Sequence, residues 1–283
     1  MFFIYSIILL LPSYLIRFEI LGLKTNLLDV LLIGFCLHWL FKRAVIEKQS
    51  LAKSFKYALV GVKKFLLPIS LILMGLIASV FQSSDVAMSL GIVKSWFILP
   101  IAFFIFASDI VRTEQQKLNL IKAWFLSGLL MVVLSAVYYF NGEMTYDDRL
   151  KAVFSSPNHL AMYLSPTLII GVFMLTSGKW QVAIKTKAVF LSISVISIGV
   201  IIFLTKSMGG VLAMTSSLSP FFYRQIKNNK RKTTTFLILL SLIFGLSFLV
   251  LGKDFSERSS FSSRVMIWRS AIEIAQDNVV FGI

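Results

Sequence analysis

The chain has 283 residues, of which 57% are hydrophobic and only 14% charged, with a mean hydropathy of +0.84. Soluble domains carry about 25% charged residues, so this composition excludes a soluble globular enzyme and predicts an all-α, polytopic integral-membrane helix bundle. The net charge of +15 would suggest nucleic acid as the partner of a soluble protein; here its distribution over the loops decides its meaning.

Apolar runs lie near residues 2–16, 26–41, 65–82, 91–107, 123–140, 159–176, 188–204, 209–223 and 236–251. They predict about nine transmembrane helices forming one bundle over residues 1–251. The first run has no basic residue before it and no small-residue cleavage site after it. It therefore reads as a retained span kinked at Pro12, not a signal peptide. Cys36, in the second run, is the single cysteine, so no intrachain disulfide or thiolate metal site is expected.

Between the second and third runs lie Lys42, Arg43, Lys48, Lys53, Lys56, Lys63 and Lys64, which the positive-inside rule assigns to the cytoplasm. Parity puts the N-terminus on that side. It adds the loops holding Arg112 to Lys122, Lys179 to Lys187 and Arg224 to Lys232. Together these carry 18 basic residues against Glu47, Asp109 and Glu114. The basicity is a topology signal rather than a nucleic-acid footprint.

Two charges fall within spans, Asp29 and Lys94. Asp29 follows Asn26 in the first turn of its helix, where a carboxylate favours the unpaired amides; the alternative is a proton relay. Lys94 can snorkel to the outer interface or bind a ligand.

Polar residues gather at three outer positions. Arg149 to Ser165, "RLKAVFSSPNHLAMYLS", opens the sixth span. Pro157 suits a first helical turn and Ser155 or Ser156 a cap; Asn158 and His159 either decorate that start or meet sugar hydroxyls in an outward cavity. Asp147 and Asp148, just before it, read as a solvated pair or as a base or metal ligand. "LTKSMGGVLA", with Lys206, Ser207, Gly209 and Gly210, is a tight outer turn or an anion site made of backbone amides and a lysine.

Beyond Gly252 runs an outer segment, the start of a large periplasmic or extracellular loop over 252–283. Val265, Trp268, Ile272 and Ala275 recur there at helical spacing, predicting an amphipathic helix near 262–276. It lies on the outer leaflet, or it turns Arg264 toward a diphosphate, which a guanidinium grips with two nitrogens.

In this order, "VFSSPNHLAMYL", "LTKSMGG" and "SRVMIWRSAIEIAQDNVVFGI" resemble the O-antigen ligase and O-antigen polymerase superfamily of membrane glycosyltransferases. The resemblance covers a Phe-x-x-Pro-Asn-x-x-Ala pattern, a Thr-x-Ser-Arg-Gly turn and an Arg-x-x-x-Trp helix. It implies transfer of a glycan from a polyprenyl diphosphate carrier to a lipid or glycan acceptor, in the bacterial cytoplasmic membrane, inverting and metal-independent, with no cofactor. Arg264 matches the arginine of the helix. The arginine of the turn falls on Met208, leaving Lys206 and Ser207 as the diphosphate-binding residues nearby. Arg149, Asn158 and His159 take glycan-binding or structural roles. The family's later histidine and closing spans have no counterpart before Ile283, so the resemblance implies a C-terminally truncated member with impaired transfer, in which His159 is the outer histidine left to act as base. A neutral-solute transporter and a non-catalytic membrane fragment are the other readings.

Overall fold

The computed structural model describes residues 1–20, 23–176, 185–211, 213–214 and 260–277. The protein is mostly helical. Four helices are long and apolar enough to cross a membrane: Lys63–Gln82, Val86–Ile110, Glu114–Phe140 and Pro157–Leu175. These coincide with the runs expected near 65–82, 91–107, 123–140 and 159–176; the count of nine is not reached among the described residues. The run at 188–204 is helical, with a shorter apolar stretch over Val189–Leu204. Those at 209–223 and 236–251 lie largely outside the described residues.

The chain divides into two units, Met1–Ala123 with Ser262–Ile283, and Trp124–Phe261. In the first, helix α1 spans only Phe2–Leu9 and gives way to a 3₁₀ turn over Leu11–Leu15. The 2–16 run is thus helical but broken: Pro12, which lacks an N–H, sits in the 3₁₀ turn rather than kinking a continuous α-helix. A hairpin follows, β1 (Arg17–Ile20) against β2 (Leu23–Asn26), antiparallel, with Glu19 opposite Lys24. These strands are an exception to the all-α expectation, and cross-strand opposite charges favour the pairing.

Asn26 ends the hairpin and caps α2 (Leu27–Phe41), its Oδ1 accepting from the Asp29 N–H at 2.9 Å. After a π-helical segment at Lys42–Ile46 come α3 (Leu51–Gly61), α4 (Leu66–Gln82), α5 (Val86–Val93), a second π-helical segment at Lys94–Ile98, and α6 (Leu99–Ile110).

Buried carboxylates tie α2 to the Val86–Ile110 span at two points. Near its start, Asp29 Oδ2 receives the Lys94 ammonium at 3.2 Å and the Ser95 hydroxyl at 2.6 Å. Asn26 is thus the cap, while the Asp29 carboxylate serves a partner in another helix. Lys94 also donates to the Lys24 carbonyl at 3.3 Å. Ten residues further along α2, about 15 Å, the Trp39 indole donates to Asp109 Oδ2 at 3.1 Å. Arg43 donates to the same oxygen and Arg112 to Asp109 Oδ1 at 2.7 Å. Burial opposes the charge on Arg43, yet its hydrogen bonds to Asp109 and Glu47 prevail and raise its pKa above the ordinary guanidinium value. Trp39 stacks on Phe106 with centroids 4.3 Å apart, inside a core that includes Ile4, Ile7, Leu32 and Phe35.

This two-point attachment makes α2 and the Val86–Ile110 span run in the same direction; α4, which comes between them in the chain, makes the return. The basic segments beginning at Lys42 and at Arg112 therefore lie at one end of the unit.

The second unit contains α7 (Glu114–Phe140) from Trp124 onward, α8 (Pro157–Thr176) and α9 (Lys185–Leu204). Close contact requires missing side chains: a Cβ at Gly171 would lie 2.7 Å from both Phe125 Cε2 and Val195 Cγ2, and one at Gly128 would overlap Thr167. Ser127 and Tyr163 join α7 to α8 through their hydroxyls at 2.6 Å. The helix expected near 262–276 is observed as α10 (Ser260–Asp277), exposed on all sides over 265–277.

Candidate functional site

In the second unit, two of the three sequence segments meet. α8 starts at Pro157, whose fixed φ suits a first turn. Ser156 is its cap: the hydroxyl oxygen accepts from the Asn158 N–H at 3.3 Å and the carbonyl from the His159 N–H at 3.1 Å. Of the two serines offered by the sequence, Ser155 instead pairs with the His159 ring, Oγ to Nδ1 at 3.1 Å. Both Ser155 and His159 are exposed, whereas Pro157, Leu160 and Ala161 are buried.

The loop before α8 folds back on itself. Gly142 and Asp148 take left-handed backbone conformations, and Met144 bridges to Leu150. The Leu150 N–H donates to the Leu204 carbonyl at 3.1 Å, fixing the loop to the end of α9.

Arg149 is the centre of this arrangement. Its Nε donates to the Thr205 carbonyl at 2.8 Å, one terminal nitrogen donates to Asn158 Oδ1 at 2.8 Å, and the other lies 3.8 Å from Asp147 Oδ2. Asp147 also accepts from the Thr145 hydroxyl at 2.6 Å. One guanidinium thus spans the loop, the start of α8 and the turn after α9. The rigid fork of arginine suits three simultaneous contacts that a lysine ammonium could not make in one plane.

The turn after α9 is held from within. Lys206 has φ of 48°, unusual for a residue with a Cβ. The Ser207 N–H donates to Thr205 Oγ1 at 3.3 Å, and Ser207 Oγ accepts from the Gly210 N–H at 3.3 Å. Ser207 is buried and caps the short helical stretch at 208–211. Gly210 earns its place by proximity: a Cβ there would lie 2.8 Å from the Ala161 Cβ of α8. The "PNHLA" and "KSMGG" segments are therefore in direct contact.

Of the residues singled out in the sequence, Arg149, Asn158, Lys206 and Ser207 belong to this one assembly, with His159 one residue beyond Asn158 on α8. Arg264 lies on α10, and its side chain is outside the described residues. Asp147 is an ion-pair partner rather than a solvated loop acid. Nothing in the sequence singles out Thr205 or Thr145; a threonine contributing its carbonyl or bracing a turn has no distinctive spacing. Among the described residues, no group of three or more His, Cys, Asp or Glu side chains gathers as a metal site would require.

Chemically, the assembly offers a lysine in a strained turn and an exposed imidazole with one nitrogen already oriented by a serine. A mostly buried arginine holds the two supporting segments together. No protein-family model matches this chain, and no curated protein or solved structure matches it.

Proposed function

We propose that the chain is an O-antigen ligase-like membrane glycosyltransferase, which moves a glycan from a polyprenyl diphosphate carrier to a lipid or glycan acceptor in cell-surface polysaccharide assembly. The reading is supported by one observation above all: the Arg149 bridge between Asn158 and Thr205 joins two segments that resemble motifs of the same family.

In this reading Lys206 stabilises the diphosphate as negative charge grows on it and its bond to the anomeric carbon breaks. The acceptor hydroxyl attacks that carbon from the opposite face, and His159 takes the hydroxyl proton on its second ring nitrogen. Ser155, at Nδ1, fixes the ring. Arg149 is a positioning residue, since its nitrogens serve the protein. The resemblance assigns Arg264 to the diphosphate as well.

The protein would reside in the bacterial cytoplasmic membrane with its basic end and N-terminus inside and the segment after Gly252 outside. Labelling of a cysteine placed at position 53, in a Cys36→Ser background, should need permeabilised cells; labelling from outside intact cells would reverse the orientation.

The function is tested with the full chain in lipid vesicles and a photoreactive polyprenyl diphosphate-linked oligosaccharide. Cross-linking to the start of α8 and to the 205–210 turn is expected, with strong loss in Lys206→Ala and Arg149→Ala. Equal labelling of wild type and both variants, all inserted, would refute the reading.

A further inference from the structure

The basic end of the first unit has a groove along α3. Ser54, Ala58 and Val62 are buried, one every fourth residue, so α3 packs by a single narrow stripe. Beside that stripe, Phe55, Leu59 and Val60 remain exposed. With Leu66 they line an open groove of about 450 Å³, flanked by Lys56 and Lys63, a size that accommodates a small polar head. The span that starts at Lys63 has an apolar window with no buried residue, so the groove leads onto a hydrocarbon-facing surface.

Charge complementarity selects the occupant. Between Lys42 and Lys64 the acidic residue is Glu47, and it is engaged by Arg43 at 2.5 Å and Lys42 at 3.8 Å. Among the described residues, no carboxylate pairs with Lys56 or Lys63. An exposed apolar strip bordered by two uncompensated ammonium groups matches a phospholipid whose glycerol and upper chains meet Phe55 and Leu59 and whose phosphate sits between the lysines. The cytoplasmic leaflet, on which the positive-inside rule places this end, is the anionic one.

We propose that the α3 groove is a binding site for an anionic phospholipid, selected over zwitterionic lipid by Lys56 and Lys63. The site is independent of the glycosyltransferase reading.

The test uses the full chain in a neutral detergent, with phosphatidylglycerol and phosphatidylcholine of matched chains titrated and bound lipid counted by native mass spectrometry. Two lysines near a lipid phosphate should favour phosphatidylglycerol by about 30-fold, and Lys56→Gln or Lys63→Gln should each remove about fivefold of this. Lys53→Gln makes the same charge change on α3 outside the groove and should leave the preference intact. Phe55→Ala should weaken both lipids, and glycerol phosphate alone should not compete at equal concentration. Equal affinity for the two lipids would overturn the proposal. So would a loss in Lys53→Gln matching that in Lys56→Gln, since the attraction would then be diffuse surface charge. Competition by glycerol phosphate as strong as by the lipid would also overturn it as a lipid site.

Discussion

Asp29 and Lys94 form an ion pair at 3.2 Å, the carboxylate buried and the ammonium partly exposed. Each has a separate explanation in sequence, a helix-start acid and a snorkelling base, yet they are partners. Lys94→Gln should destabilise the protein by about 1–3 kcal/mol, because Asp29 is left buried with the Ser95 and Thr25 hydroxyls in place of a cation. Asp29→Asn should cost less, and the double variant less than the sum of the two. Thermal unfolding of the four proteins in detergent measures the coupling; additive effects would show that the pair contributes nothing.

Asp109 serves three donors at once, the Trp39 indole and the guanidinium groups of Arg43 and Arg112. Asp109→Ala should cost about 3–5 kcal/mol, as expected for removing the acceptor of a buried charge pair. It should also redden Trp39 fluorescence as water reaches the indole. Asp109→Asn should keep the indole contact and lose less. An Asp109→Ala variant as stable as wild type would mean that Trp39 stacking on Phe106 alone secures this end of α2.

Much of the helical framework is legible in the sequence. The spans beginning at Lys63, Val86 and Glu114 follow from hydropathy, because long apolar runs have few alternatives in a bilayer. Hydropathy does not separate a spanning helix from an apolar turn, so the break at Leu10 escaped it. The Arg17 to Ile20 alternation carries a period of two, but four residues are too few to stand out. The Asp29–Lys94 pair shows in sequence as charges that cancel; their contact depends on the fold-back of α4. Likewise, Arg149 is conspicuous as a basic residue near a helix start. Its bond to Thr205 depends on how α8 and α9 pair, which no local pattern encodes.

Small residues set the helix spacing in the second unit. Gly171→Ala should destabilise by about 1–3 kcal/mol, since the new methyl meets the Phe125 ring and Val195 at 2.7 Å. Gly128→Ala should be at least as costly, because Thr167 occupies the space. Gly75→Ala in α4 meets nothing within 4 Å and should be neutral or stabilising by about 0.5–1 kcal/mol. Detergent unfolding midpoints separate the three; a destabilised Gly75→Ala would reveal a partner packed on that face.

Arg264 and Arg269 share α10 but are five residues apart, about 140° around the helix. Under the proposed function, Arg264→Ala should reduce donor cross-linking and transfer far more than Arg269→Ala, by about 2.7–4 kcal/mol in transition-state stabilisation. Arg264→Lys should restore only part of this, as it keeps charge without the two-pronged grip. The reverse order, with equal expression, would reassign both arginines to lipid headgroups.

The buried hydroxyls of the second unit bear on what can cross it. Ser135, Ser165, Thr167 and Ser194 each donate to a carbonyl four residues back in the same helix. Their hydrogens are committed to backbone, leaving lone pairs alone to greet a visiting solute. A sugar threading past α7, α8 and α9 would have its own oxygens unanswered by these side chains at mid-depth, a dehydration cost repeated at every turn. Among the described residues, these hydroxyls of α7, α8 and α9 are thus already spent on the backbone, while the charged side chains of the loop before α8 gather at the rim that Arg149 closes.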